Sequence, residues 1–148
     1  MQELVDFYEG YIAAFNARDA VAFGACFHPP VTMMRPARHD GRADEQAFTV
    51  VEDPGSFALQ MPAHWSRSTI DSLVALGEAA PFAVSLGLPA PRARRLGIIA
   101  DVSRWDHDGQ LYEQVQALYL LAHRGGRLGI KFMADLGFTR RPREPRPS

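Results

Sequence analysis

Five histidines, a scatter of aspartates and one cysteine are the groups in this chain best able to move a proton or attack a carbon. His64 is the strongest acid–base candidate. It sits beside Trp65, just ahead of an expected helix, and an imidazole changes charge near neutral pH. His28 falls at an expected helix end and His123 in a hairpin link, places that suit solvated side chains. Asp135 shares one strand parity with Lys131 and Met133, so its carboxylate could pair with the lysine or hold a proton in a cavity. No metal site is expected: His-x-x-x-His and Cys-x-x-Cys spacings are absent, and one cysteine cannot build a zinc cluster. The "RGGR" stretch lacks the strand–loop–helix context of a phosphate cradle, and no Gly-x-Ser-x-Gly elbow occurs. No cofactor is implied. Cys26, at helical spacing from Phe23, reads as a small core residue.

These groups need a scaffold, and the hydrophobic periodicity supplies one. Leu4, Tyr8, Tyr11, Ile12 and Phe15 recur at helical spacing, with Glu3, Asp6 and Glu9 mainly opposite. Asn16 to Arg18 reads as a break. Asp19 is a good N-cap for a second helix through Ala20, Val21, Phe23 and Phe27. Pro29 and Pro30 end that helix, and "VTMM" begins a strand. A polar, turn-rich stretch follows to Gln60, with one short strand at "FTVV". From Ser66 to Ala80 the spacing of Thr69, Ile70, Leu73, Val74 and Leu76 predicts a third helix. Three β-rich runs, "RLGIIADVSRW", "QLYEQVQALYLLA" and "RLGIKFMADLG", are joined by "DHDG" and "HRGG" and predict an antiparallel meander.

Composition narrows the function classes. A chain of 148 residues, 47% hydrophobic and 22% charged, is an ordinary globular domain that needs no staple. The net charge of −1 gives no field to recruit nucleic acid or an anionic membrane. Of sixteen basic residues only Lys131 is lysine, a skew that genome composition explains. A single cysteine forbids an intramolecular disulfide. The start lacks the layout of a signal peptide and no apolar run approaches a membrane span, so a cytoplasmic location is expected. One domain over 1–139 and a disordered Arg/Pro-rich tail over 140–148 are expected.

Two helices, a strand, a third helix and a long meander, carried by "YIAAFNARDAVAFGACFHPPV" and "RWDHDGQLYEQVQALYLLAHRGGRLGI", resemble the nuclear transport factor 2-like superfamily, which includes polyketide cyclases and ketosteroid isomerases. The resemblance implies an α+β fold: a cone-shaped barrel of curved antiparallel sheet packed on three helices from the N-terminal half. The cavity would lie between helices and sheet. Aligned with the isomerases, Tyr11 takes the place of an oxyanion-binding tyrosine, while Arg35 replaces the aspartate base. A guanidinium cannot accept a carbon acid's proton. The second acid's place falls near Leu118, so isomerisation of that kind is not expected. Epoxide hydrolases of the superfamily resemble a carboxylate–arginine–carboxylate set, for which Asp101, Arg35 or Arg104, and Asp135 are available without a specific motif.

The same resemblance puts Tyr112, Gln114, Gln116, Leu118 and Leu120 in the cavity. Val115, Ala117, Tyr119 and Leu121 then form an apolar outer sheet face, which a second subunit would cover. The expected protein is a homodimer that binds a small hydrophobic or anionic ligand, with no nucleic-acid or membrane partner. If it is an enzyme, the chemistry is metal-free acid–base work of the lyase, isomerase or cyclase type. His64 or Asp135 would move the proton, Tyr11 would donate to a carbonyl, Arg35 would hold an anionic group, Trp65 would pack on the ligand, and Gln116 would hydrogen-bond it. The alternative is a non-catalytic ligand-binding or dimerisation module of the same fold.

Overall fold

The computed structural model describes residues 2–36, 46–78 and 95–140, with the side chains of 35, 36, 46–48, 76–78, 95 and 137–140 outside the description. Two α-helices, α1 (Gln2–Asn16) and α2 (Ala20–Gly24), are followed by β1 (Phe27–Pro36) and β2 (Gln46–Val51). A 3-10 helix (Pro54–Leu59) leads to β3 (Trp65–Glu78), β4 (Arg95–Asp106), β5 (Leu111–Arg124) and β6 (Arg127–Arg140). Asp19 caps α2 as its position predicts, accepting the Ala22 N–H at 3.0 Å. The helix is short, and β1 starts at Phe27, ahead of the cis Pro29–Pro30 bond and not after it. The tail expected over 140–148 lies outside the described residues, apart from the backbone of Arg140 at the end of β6.

The strands form one six-stranded sheet in the order β2-β1-β6-β5-β4-β3. The meander β4–β5–β6 is antiparallel as expected, but β1 runs parallel to β6, so the sheet is mixed. The two end strands, β2 and β3, have four strands between them and do not pair. The sheet is therefore open, and the expected cone-shaped barrel of antiparallel strands is not what this sequence builds.

The predicted third helix is also absent, because 65–78 is strand β3. Its helical spacing has a physical source. Ile70 pairs with Val102, then the register shifts, and Leu73 pairs with Ala100. The extra residue at Asp71 is a β-bulge, which places side chains three apart on the same face. A bulged strand rich in Thr, Ile, Leu and Val thus imitates helical periodicity. The helical layer is completed instead by the 3-10 turn, which packs on α2 where Gly55 lies against Gly24.

The helices cover one face of the sheet. That face carries Ile98, Ala100, Val115, Ala117, Tyr119 and Leu121, all buried. Against them α1 sets Leu4, Tyr8, Tyr11 and Ala14. The parity expected for β5 is thus reversed: Val115, Ala117, Tyr119 and Leu121 face the helices and cannot form an outer interface. This set and its partners on β4 are the more apolar, and apolar area is what the helices can bury.

The parallel junction of β1 and β6 is held by a polar cluster. His28 is 4% exposed, and its Nε2 lies 2.9 Å from the Arg127 carbonyl. The Arg127 guanidinium donates to His28 Nδ1 at 3.2 Å and to the Phe27 and Ala25 carbonyls. The Lys131 ammonium donates to the carbonyls of His28 (3.0 Å) and Pro30 (2.9 Å). The histidine ring fits only because residue 129 is glycine. A Cβ there would meet His28 Cδ2 at 2.6 Å and Nε2 at 2.7 Å. Gly129→Ala is expected to cost about 1–3 kcal/mol of stability by overpacking. In a His28→Ala background the same change should cost much less. Urea unfolding of the four proteins of this cycle measures the coupling, and equal costs in both backgrounds would refute the contact as the cause.

Candidate functional site

The junction of α1 with the sheet is a cluster of aromatic rings. Tyr11 and Tyr119 approach edge-on at 5.9 Å, with their hydroxyls 3.4 Å apart. Tyr11 also reaches the Met133 sulfur at 4.0 Å. Tyr8 stands edge-on to both rings, at 5.7 and 5.5 Å. Phe23 and Phe27 close the far side of Tyr11. The space between α1 and the middle of the sheet, where the resemblance places a cavity, is filled here by side chains.

Burial controls the ionisation of these phenols. It pushes Tyr8, Tyr11 and Tyr119 above the usual value, because a phenolate would be stranded away from water. At Tyr119 the Tyr11 hydroxyl and Arg104 oppose that shift, and Asp135 adds to it. The Tyr8 hydroxyl is buried with no hydrogen-bond partner among the described residues. Burial likewise raises the Cys26 thiol, against the pull of Arg127. The three tyrosines are therefore neutral donors at physiological pH and unsuited to act as bases.

The remaining predicted residues are scattered. Trp65 is fully buried: its ring lies 5.1 Å from Phe15, and its Nε1 donates to Ser68 Oγ at 3.0 Å. Arg18 stacks over it at 5.1 Å, so the indole is a core element and not a ligand wall. His64 is exposed, with its ring 4.5 Å from that of Tyr112. Gln116 lies on the sheet face away from the helices, donating to Asp101 Oδ1 at 3.1 Å, while Ser72 donates to Asp101 Oδ2 at 2.6 Å. Asp135 pairs in register with Ala117 and so faces the helices, as expected. Arg35 stands opposite Ala47 in the β1–β2 ladder, and its side chain lies outside the description. Of the six candidates, Tyr11 and Asp135 are the two brought near a common neighbour, Tyr119.

Sequence reasoning missed the role of Asn16, and it missed Glu113 as the partner of Arg104. Asn16, read as part of a break, donates from Nδ2 to the Ser68 carbonyl (2.9 Å) and accepts the Ser68 N–H at Oδ1 (2.7 Å). It acts as a strand partner for one residue of edge strand β3. Arg104 and Glu113 form a 2.6 Å ion pair on the helix-facing parity of β4 and β5, and the Arg104 Nε is buried with no hydrogen-bond partner among the described residues. Their opposite charges at adjacent strand positions were the available signal, hidden by an uncertain register.

Open space lies elsewhere, in a groove of about 400 Å³ between α1 and β3. Val5, Tyr8, Glu9, Ile12 and Asn16 line the helix side, and Ser68, Thr69, Ile70 and Leu73 the strand side. The course of α1 explains it. Near its start Glu3 meets His123 of β5 at 2.7 Å, its middle rests on Tyr119 of β5, and its last residue grips Ser68 of β3. The helix crosses the strands obliquely, so its first turns stand away from β3. The groove walls are mainly apolar, and the Asn16–Ser68 contact closes one end. Among the described residues no three His, Cys, Asp or Glu side chains gather to hold a metal, and no helix is long and apolar enough to cross a membrane.

The buried phenols make alkaline stability a direct readout of the cluster. In the unfolded chain they ionise near pH 10, whereas in the folded chain they stay protonated. Their contribution is complete below about pH 10 and is lost as pH rises above it, by about 1.4 kcal/mol per pH unit for each tyrosine. Phenolate absorbance from these residues should appear together with loss of far-ultraviolet circular dichroism. Ionisation of all the tyrosines while the fold persists would refute their burial.

No family model and no curated protein sequence matches the chain. Solved structures do match in fold. ActVI-ORFA from Streptomyces coelicolor superposes with a TM-score of 0.60 at 10% identity, over 90% of this chain and 93% of that one. An NTF2-like superfamily protein from Salmonella enterica gives 0.57 at 12% identity, over 94% and 91%. The association domain of the C. elegans kinase CaMKII gives 0.56 at 11%, over 90% and 92%. These distant likenesses point to the nuclear transport factor 2-like superfamily as the fold to which this chain is similar.

Proposed function

We propose that this chain is a non-catalytic module of the nuclear transport factor 2-like fold that binds a small, largely apolar molecule in the α1–β3 groove. The observation that carries the reading is the groove itself: among the described residues it offers open, mainly apolar space, while the position under α1 is packed with rings. The acid–base alternative loses support from the same geometry. His64 is exposed against Tyr112, Gln116 is on the opposite sheet face, and Trp65 is core. A fragment screen followed by amide NMR should give saturable shifts clustered at Val5, Ile12, Ile70 and Leu73. Leu73→Trp, which fills the groove from the strand side, should abolish them with the fold intact. Absence of any fragment-induced shift at these four positions would sink the reading.

A second copy of the chain is the proposed cover for the uncovered sheet face. Val74, Ile99, Leu118 and Met34 stand in register across the sheet, with the buried Ala134 between the last two. That row runs about 19 Å at the usual strand spacing. Beside it Leu120, Phe132, Thr32 and Val50 form a second row, with Leu120 42% and Val50 64% exposed. A stable interface takes about 800 Å² from each partner. The two rows would be its centre and the Ser72–Asp101–Gln116 hydrogen bonds its polar rim. Sedimentation equilibrium should give about twice the chain mass of 16.4 kDa. Leu118→Arg should yield a folded monomer. A wild-type monomer, or a Leu118→Arg dimer, would discard this interface.

A further inference from the structure

From the charge around the groove we infer that its ligand class is an apolar amine, bound as a cation. The inference rests on the groove being the binding site. Glu9 is the one charged residue among the groove's lining. It is exposed and makes no ion pair among the described residues. Helix α1 has no lysine or arginine anywhere between Gln2 and Asn16, and it adds Glu3 and Asp6 on neighbouring turns. Its C-terminal end, at Asn16, brings the negative pole of the helix to the closed end of the groove.

Among the described residues, the cations near the groove are already engaged. Arg18 lies over Trp65 and donates to its carbonyl at 3.2 Å, and Arg67 lies over Trp105 at 4.9 Å. Arg104 is bound to Glu113. A carboxylate in the groove would meet Glu9 with no free positive partner among the described residues, which disfavours the anionic ligand that the sequence suggested. An ammonium would meet Glu9 at the rim while its alkyl part lay along Val5, Ile12, Ile70 and Leu73. The polar groups of Asn16 are spent on the Ser68 backbone, so that end of the groove offers little else to a polar head.

Three probes of one length separate charge from burial: hexylamine, hexanol and hexanoate, titrated into the full chain and read by amide NMR. The expected order of affinity is amine, then alcohol, then carboxylate. An exposed charge pair predicts a preference of about two- to fivefold at each step. The steps should shrink in about 0.5 M salt, where screening acts over only a few ångströms. Glu9→Gln should remove the amine's advantage over hexanol. If hexanol binds in the groove but hexanoate equals or exceeds the amine, the cation inference is overturned and the groove survives. An amine preference that persists in Glu9→Gln also overturns it. If none of the three shifts the groove amides, the inference and the binding reading fall together.

Discussion

A tyrosine hydroxyl removed from water needs another polar group, and leaving one unpaired costs about 1–3 kcal/mol. Tyr11 and Tyr119 meet that requirement by facing each other across the helix–sheet interface, 3.4 Å apart. The contact fixes both the height and the rotation of α1 over β5. Once it is made, Tyr8 and Ala14, on the same stripe of the helix, turn into the core, and Val5, Glu9 and Ile12 turn toward β3. The groove is lined by that second stripe. Ring packing at the centre and open space at the side are therefore two results of one constraint.

The same constraint bears on chemistry. A donor pair of this kind can stabilise negative charge on a ligand only if the ligand reaches it. Here Phe23, Phe27, Met133 and Tyr8 occupy the approaches. Arg104 and Asp135 act on Tyr119 electrostatically in opposite senses. Tyr11 and Tyr119 are used here as packing. The groove beside α1 offers mainly apolar walls, where each buried methylene contributes about 0.8 kcal/mol.

Much of the fold was legible because its signals are local. The Asp19 cap, the stripe of α1 and the two hairpins of the meander need only neighbours in sequence. The failures came from features that are defined by distant partners. The bulge at Asp71 shifted the period of β3 from two to three, so a strand read as a helix. The parity of β5 was taken from a family comparison, although the apolar run Val115, Ala117, Tyr119 and Leu121 already marked the face the helices would bury. The site was less legible still. Asn16 acts through a backbone fifty-two residues away, and nothing in its own neighbourhood announces that. Trp65 looked like a ligand wall because it is large and sits beside His64, yet it is fully buried in the core.

The oblique course of α1 links two strands of one sheet face, β5 and β3. At one end a side-chain hydrogen bond between Glu3 and His123 ties the helix to β5, and at the other Asn16 ties it to β3. The two tethers differ in kind. The first is exposed and worth little, about 0–1 kcal/mol, whereas the second satisfies both backbone groups of Ser68, a residue that is 1% exposed. The helix is thus pinned more firmly at its C-terminal end, and its first turns can yield with little loss. Val5, on those turns, lines the groove together with Leu73. A small displacement there would change the groove's width without disturbing the tyrosine contact or the sheet beneath it, so the groove is compliant toward the start of α1 and fixed at the end held by Asn16 and Ser68.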